Sequence, residues 1–179
     1  MRINEIFYSI QGEGRWAGTP MIFIRFSGCN LRCDFCDTDH REYKEMSPAD
    51  ILGRINRYYA KHVCLTGGEP ALQLTDELIE YLHLQGRTIH VETNGSQPLP
   101  AGIDWITVSP KSVPVMLDHA DEIKLVYQGQ DVEAWEKFPA KYYYLQPCSC
   151  QNTAEVIEYV KRHPKWKLSI QTQKILNFQ

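Results

Sequence analysis

Short apolar runs, each ending in a polar or glycine-rich group, recur along the chain of 179 residues. Glu5–Ile10 runs into Gln11-Gly12-Glu13-Gly14, Met21–Ser27 into a cysteine-rich loop, and His62–Thr66 into Gly67-Gly68-Glu69-Pro70. Thr88–Glu92 ends at Thr93-Asn94-Gly95, Trp105–Val108 at Ser109-Pro110-Lys111, and Glu122–Val126 at Tyr127-Gln128-Gly129. Tyr142–Leu145 meets Gln146-Pro147-Cys148-Ser149-Cys150, and Trp166–Ile170 meets Gln171-Thr172-Gln173-Lys174. Runs this short, bounded by turn residues and rich in β-branched and aromatic side chains, predict strands.

Between several of them the apolar spacing changes to that of a helix. Ser47 offers an N-cap, Pro48 suits the first helical position and Asp50 the first turn, ahead of Ile51, Leu52, Ile55, Tyr58 and Tyr59 on one face. Thr75–Gln85 carries Leu78, Ile79 and Leu82 and stops at Gly86. Asn152 is placed to cap Thr153–Arg162, with Val156, Ile157 and Val160 inward and Pro164 beyond the end. From about 95 to 121 the connections are too short and too rich in Pro and Gly for full helices. Strands alternating with helices predict a parallel sheet in one α/β domain, 1–179, with the site on the loops after the strand ends. A closed eightfold barrel needs about 250 residues. The expectation is therefore an open, partial (βα) barrel with reduced helices.

Composition narrows the functional classes. Hydrophobic content of 43% and charged content of 23% are ordinary for a globular protein. A net charge of -3, a pI near 6.1 and no long basic run give no electrostatic basis for nucleic-acid binding. No stretch reads as a signal peptide or membrane span. Six cysteines could form three disulfides, but three of them sit at metal-centre spacing, so reduced thiols in the cytoplasm are expected.

Those three are Cys29, Cys33 and Cys36, in a C-x-x-x-C-x-x-C loop. Three thiolates in one loop can converge on a metal centre. Iron–sulfur cubes usually take four cysteines, so three leave one iron open to a substrate or cofactor. The competing reading is a zinc knot with Cys64, Cys148, Cys150 or His40 as fourth ligand. One strand later, Gly67-Gly68-Glu69-Pro70 lets backbone approach a ligand closely and exposes carbonyls to an ammonium group.

The cysteine spacing, followed by this Gly-Gly-Glu motif, resembles the radical S-adenosylmethionine superfamily. The runs EIFYSIQGEG, GTPMIFIRFSGCNLRCDFCDT, TGGEP, VETNG, SPK, LQPCS and LSIQT-Q-K together resemble the 7-carboxy-7-deazaguanine synthases, in order and over nearly the whole chain. The resemblance implies a lyase that contracts 6-carboxy-5,6,7,8-tetrahydropterin to 7-carboxy-7-deazaguanine with loss of ammonia, for queuosine-type deazapurines. It implies a [4Fe-4S] cluster on Cys29, Cys33 and Cys36, S-adenosylmethionine on its open iron, and magnesium on Thr38. It assigns substrate binding to Ile10, Gln11, Gly12, Arg25, Thr66 and Gln179. S-adenosylmethionine falls to Phe35, Asp37, Gly68, Glu92, Asn94, Ser109, Pro110, Lys111, Gln146, Pro147, Cys148 and Ser149. No side chain is a nucleophile, because the radical belongs to the cofactor. An electron donor such as flavodoxin or ferredoxin and a homodimer are implied too. The chain departs from the family's late Q-T-H-K motif, with Gln173 at the histidine's position. A glycyl-radical activating enzyme acting on a protein partner, and a zinc-binding module without catalysis, are the other classes compatible with the cysteines.

Overall fold

The computed structural model describes residues 1–36, 38–111 and 113–179. Among these, β1 (Arg2–Ile10) leads through a single turn of 3-10 helix at Gly14–Trp16 into β2 (Pro20–Phe26). The cysteine loop follows, then β3 (Lys44–Glu45), α1 (Pro48–Ile55), β4 (His62–Gly67), α2 (Asp76–Leu84) and β5 (Thr88–Thr93). β6 (Trp105–Val108), β7 (Ala120–Tyr127) and β8 (Ala140–Pro147) come next, and then α3 (Thr153–Arg162), β9 (Lys167–Leu168) and α4 (Thr172–Leu176). One nine-stranded sheet takes the order β3-β1-β2-β4-β5-β6-β7-β8-β9. From β2 to β9 every pairing is parallel, as expected. The first strands correct that expectation, since β1 is antiparallel to both β2 and β3. The short β1–β2 connection permits a hairpin but no crossover.

Alternation within the strands sorts their side chains between two faces. Ile22, Ile24, Phe26, Val63, Leu65, Ile89 and Val91 face outward and pack with Ile51 and Ile55 of α1 and Leu78, Ile79 and Leu82 of α2. Val108, Ile123, Leu125 and Leu145 continue that layer against Val156 of α3 and Trp166. The residues between them, Arg25, Thr66, Glu92, Lys124 and Gln146, all border one cavity on the inner face. β6 follows β5 and β7 follows β6 without a helix, so the barrel is open and trimmed as expected.

Three local expectations are corrected. Helix α1 ends at Ile55, which leaves Tyr59 fully exposed while Tyr58 packs at the core's edge. Ile157 is 38% exposed, because only Val156 in α3 faces squarely inward. Asn152 does not cap α3 with its side chain. Its Oδ1 instead accepts from the Cys148 amide at 2.8 Å, and its Nδ2 donates to the Tyr127 carbonyl at 3.0 Å. The side chain thus staples the end of β7 to the residue after β8, one local bond and one to a partner 25 residues away taking the place of a cap.

Candidate active site

The cysteine loop is anchored at its base and flank. The Ser27 hydroxyl donates to the His40 carbonyl at 3.0 Å, and the Gly28 amide donates to His40 Nδ1 at 3.2 Å. Asn4 Nδ2 donates to the carbonyls of Asp39 and Glu42 at 2.7 and 2.9 Å, holding the returning strand. Asn30 Nδ2 reaches the Ser96 hydroxyl at 2.8 Å and its Oδ1 accepts from Asn94 Nδ2 at 3.2 Å. Cys29, Cys33 and Cys36 all open onto a cavity of about 460 Å³. All six cysteines are free thiols, and Cys64 is fully buried. Among the described residues no three metal-binding side chains already stand at ligand spacing. His40 is engaged by Gly28 through Nδ1, and neither Cys148 nor Cys150 borders the cavity.

Gly67, Gly68 and Glu69 join this loop to the strand tops. Gly67 has φ +115, open to glycine but strained for other residues, and a Cβ there would lie 2.4 Å from the Phe26 carbonyl. A Cβ on Gly68 would lie 2.0 Å from the Gly28 carbonyl. The absent side chains let the Gly68 amide donate to the Phe26 carbonyl at 2.9 Å, and the Glu69 amide to the Gly28 carbonyl at 3.0 Å. The Glu69 carboxylate is buried and accepts from Thr93 Oγ1 at 2.6 Å, the Asn94 amide at 2.7 Å and the Ala71 amide at 3.1 Å. Burial pushes its pKa up against those donors. It ties β4 to β5 beneath the cavity rim.

The cavity floor is the Gln11–Trp16 segment, crossing beneath the inner face of the sheet. Gln11 Nε2 donates to Glu92 at 2.9 Å. The buried Lys124 ammonium lies 2.7 Å from Glu13 and 2.8 Å from Glu92. Burial alone would raise the Glu13 pKa, but the Lys124 charge wins and holds that carboxyl at about 2. Burial likewise opposes the Lys124 charge, yet the carboxylates of Glu13, Glu92 and Glu122 raise its pKa. Gln171 and Gln173, beyond β9, donate their amides to Glu13 at 2.9 and 2.8 Å. The side-chain carbonyls of both are buried with no partner among the described residues. On the wall, Arg25 Nε pairs with Glu5 at 2.8 Å, and Gln179 Nε2 donates to the other oxygen of Glu5 at 2.8 Å. Lys111 donates to the Ser109 hydroxyl at 2.6 Å and lies over the Phe35 ring, 5.5 Å from its centroid.

Residues 23–138 match the model of the radical SAM superfamily. A curated 7-carboxy-7-deazaguanine synthase of Bacteroides thetaiotaomicron is 52% identical over 99% of this chain and 98% of its own. The chain belongs to the 7-carboxy-7-deazaguanine synthase family. A synthase of Bradyrhizobium diazoefficiens is 41% identical over 99% of this chain and 98% of its own. The crystal structure of QueE from Escherichia coli superposes with a TM-score of 0.80 at 31% identity, covering 95% of this chain and 93% of that one.

Within this synthase-family fold, most residues singled out from sequence meet at the one cavity. Gln11, Arg25, Phe35, Thr38, Thr66, Gly68, Glu92, Asn94, Ser109, Lys111, Gln146, Pro147 and Ser149 border it together with the three cysteines. Ile10, Gly12, Pro110, Cys148 and Gln179 do not. Ile10 is 45% exposed at the end of β1. Gly12 packs its bare Cα against Gln173, where a Cβ would lie 1.9 Å from Oε1, and its carbonyl accepts from Thr172 Oγ1 at 2.9 Å. Gln179 stands one bond behind the wall, through Glu5. Asp37 lies outside the described residues. Sequence reasoning missed Glu5, Glu13, Lys124 and Gln171 as cavity residues. For Lys124 a signal existed: a cation between Ile123 and Leu125 in a strand buried on both faces. For Gln173 the departure from Q-T-H-K marked the position without saying what it touches.

Proposed function

We propose that this protein contracts the ring of 6-carboxy-5,6,7,8-tetrahydropterin to 7-carboxy-7-deazaguanine with release of ammonia, in queuosine-type deazapurine biosynthesis. Family membership fixes the class of chemistry. The observation that carries the substrate is the polar lining of the cavity, where Arg25, Gln11 and Thr66 border the same space as the three cysteines. Ile10 and Gly12 flank Gln11 in the chain. Arg25 stands on the wall, and its fork suits the substrate carboxylate. Glu5 holds one edge of the guanidinium, and Gln179 orients Glu5.

The cysteine loop fits a cluster: three unpaired thiols of an anchored loop open on one cavity, leaving the fourth corner to a ligand. When bound, the cluster and S-adenosylmethionine supply the radical that takes hydrogen from the substrate. The chain's own residues bind and orient. Gly68, Ser109, Pro110, Lys111 and the Gln146–Ser149 turn would hold S-adenosylmethionine, helped by Phe35, Glu92 and Asn94 on the same cavity. Thr38, on the cavity edge, would offer its hydroxyl to magnesium, a cation that favours oxygen ligands. In this reading the whole chain works as one domain in a cytoplasmic homodimer, and flavodoxin or ferredoxin delivers the electron. No helix among the described residues is long and apolar enough to cross a membrane.

The test is anaerobic reconstitution with iron, sulfide, S-adenosylmethionine, reductant, magnesium and the pterin, with products read by mass spectrometry. Carboxydeazaguanine from the intact protein but not from Cys33→Ala supports the reading. Cleavage of S-adenosylmethionine with the pterin untouched overturns it.

A further inference from the structure

Beneath the floor lies a second, small internal space of about 10 Å³, lined among others by Trp16, Cys64, His90, Thr107 and Glu122, with Glu92 shared with the cavity above. That is close to the roughly 10–15 Å³ that one water needs, and a buried water needs two to four polar partners. Trp16 plugs the barrel bottom edge-on to His90 and Trp105, at ring-centroid distances of 4.9 and 5.4 Å. Its indole Nε1–H is buried with no acceptor among the described residues. Glu122 accepts from the Arg15 amide at 3.0 Å through Oε2 alone. His90 Nε2 lies 2.8 Å from His62 Nδ1, leaving the other ring nitrogen of His90 for the small space its ring lines. His62 is the first residue of β4 and only partly buried, at the sheet end opposite the cysteines.

We propose that this space holds one ordered water, bonded by Trp16, Glu122 and His90, and that the water, His90 and His62 form a proton path from the active-site floor to the far end of the barrel. Protons pass one bond at a time. The water gives a proton to His90 Nδ1 as it receives one from the Glu122 carboxyl beneath the floor. His90 Nε2–H passes to His62 Nδ1, and His62 Nε2–H to solvent. No electron moves. Each outward passage leaves both rings in the other tautomer. The next proton, taken in from solvent along the reverse sequence, restores them and reprotonates Glu122, so the path exchanges protons one out and one in. The need for such traffic rests on the proposed ring contraction, which releases ammonia in a chamber roofed by cofactor and substrate.

The surrounding charges suit a relay. Burial, then His62, lowers the His90 pKa to about 4 against the opposing pull of Asp104 and Asp121, so the ring is neutral near pH 7 and passes a proton without keeping it. Burial, then Lys61, also lowers that of His62. Burial raises Glu122 to about 7, against Lys124 and the Arg15 amide and helped by Glu92 and Glu13. Trp105 is engaged with Thr107 Oγ1 at 3.1 Å, so the Thr107 hydroxyl proton is left for the water or a carboxylate.

The test uses the reconstituted protein and the variants Trp16→Phe, which keeps a ring but removes the donor, His62→Gln and His90→Gln. Water-to-indole cross-relaxation by NMR is expected to show a long-lived water at the Trp16 N–H. Turnover is expected to fall at least about fivefold in each variant, with KM and iron content unchanged and a larger solvent deuterium isotope effect on kcat. An indole N–H without a bound water overturns the proposal. So does wild-type kcat in Trp16→Phe and His62→Gln, whatever His90→Gln does to folding. Wild-type protein that makes no product overturns the ring-contraction reading instead, and the NMR measurement, which needs no substrate, still judges the water.

Discussion

Lys124 is 3% exposed between Ile123 and Leu125, yet it carries a full charge because two carboxylates lie within 2.8 Å of its ammonium. Replacing it with Met leaves Glu13 and Glu92 buried without their cation. Losing one partner of such a group costs about 3–5 kcal/mol, so Lys124→Met is expected to unfold at much lower denaturant than the parent. Glu13→Gln added to it should recover part of the loss, read from the same denaturation curves. At Gln173 the sequence showed only that a titratable histidine had been replaced. The fold shows the consequence: an uncharged amide that donates to Glu13 at 2.8 Å and packs its carbonyl against the bare Cα of Gly12. Gln173→Ala is expected to raise KM for the pterin about tenfold, one neutral hydrogen bond's worth, with S-adenosylmethionine cleavage in its absence unchanged. Steady-state kinetics on both reactions checks this.

Strand ends and helix caps were legible because they depend on near neighbours. Ser47 accepts from the Asp50 amide at 3.2 Å, the cap expected of it, and Asp50 in turn accepts from the Ser47 amide at 2.9 Å, which closes a reciprocal box. Ser47→Ala is expected to cost about 1 kcal/mol of stability, measurable by urea denaturation. Asn152 failed as a cap, and Tyr59 as a core residue, because distant partners and an early helix end decided them. Gly68 was legible as a glycine that allows close approach, but its nearest partner, the Gly28 carbonyl at the root of the cysteine loop, was not. Gly68→Ala is expected to shift that loop and lower iron per chain after reconstitution while the helical content stays. Iron analysis beside circular dichroism separates the two effects.

Across the whole molecule, buried titratable groups set opposing pH limits on stability. Burial holds the Glu122 pKa at about 7 against an ordinary 4.5, so the native state binds the extra proton, and stability is lost as pH rises through that window. His90 is lowered from 6.5 to about 4, so its contribution is lost as pH falls through that window, and Glu13 behaves likewise from 4.5 toward 2. Between about pH 4.5 and 6.5 the Glu122 and His90 slopes therefore oppose each other, below about 4.5 the Glu13 and His90 losses dominate, and just above pH 7 the Glu122 contribution is gone. Glu122→Gln should gain up to about 3 kcal/mol on the parent as pH rises from 4.5 to 7, and a stability difference that stays constant across that window in urea titrations counts against this assignment. The sequence by itself determined the strand and helix order, the cysteine loop, the glycine approach and the family, since each is written in short spacings. Only the tertiary structure decided which polar residues share the cavity, that β1 runs antiparallel, that Glu5 braces Arg25, and that Trp16 plugs a space beneath the floor. Those depend on strand register and on segments more than a hundred residues apart, such as Glu13 and Gln171, meeting across an open barrel. Local spacing cannot encode such meetings.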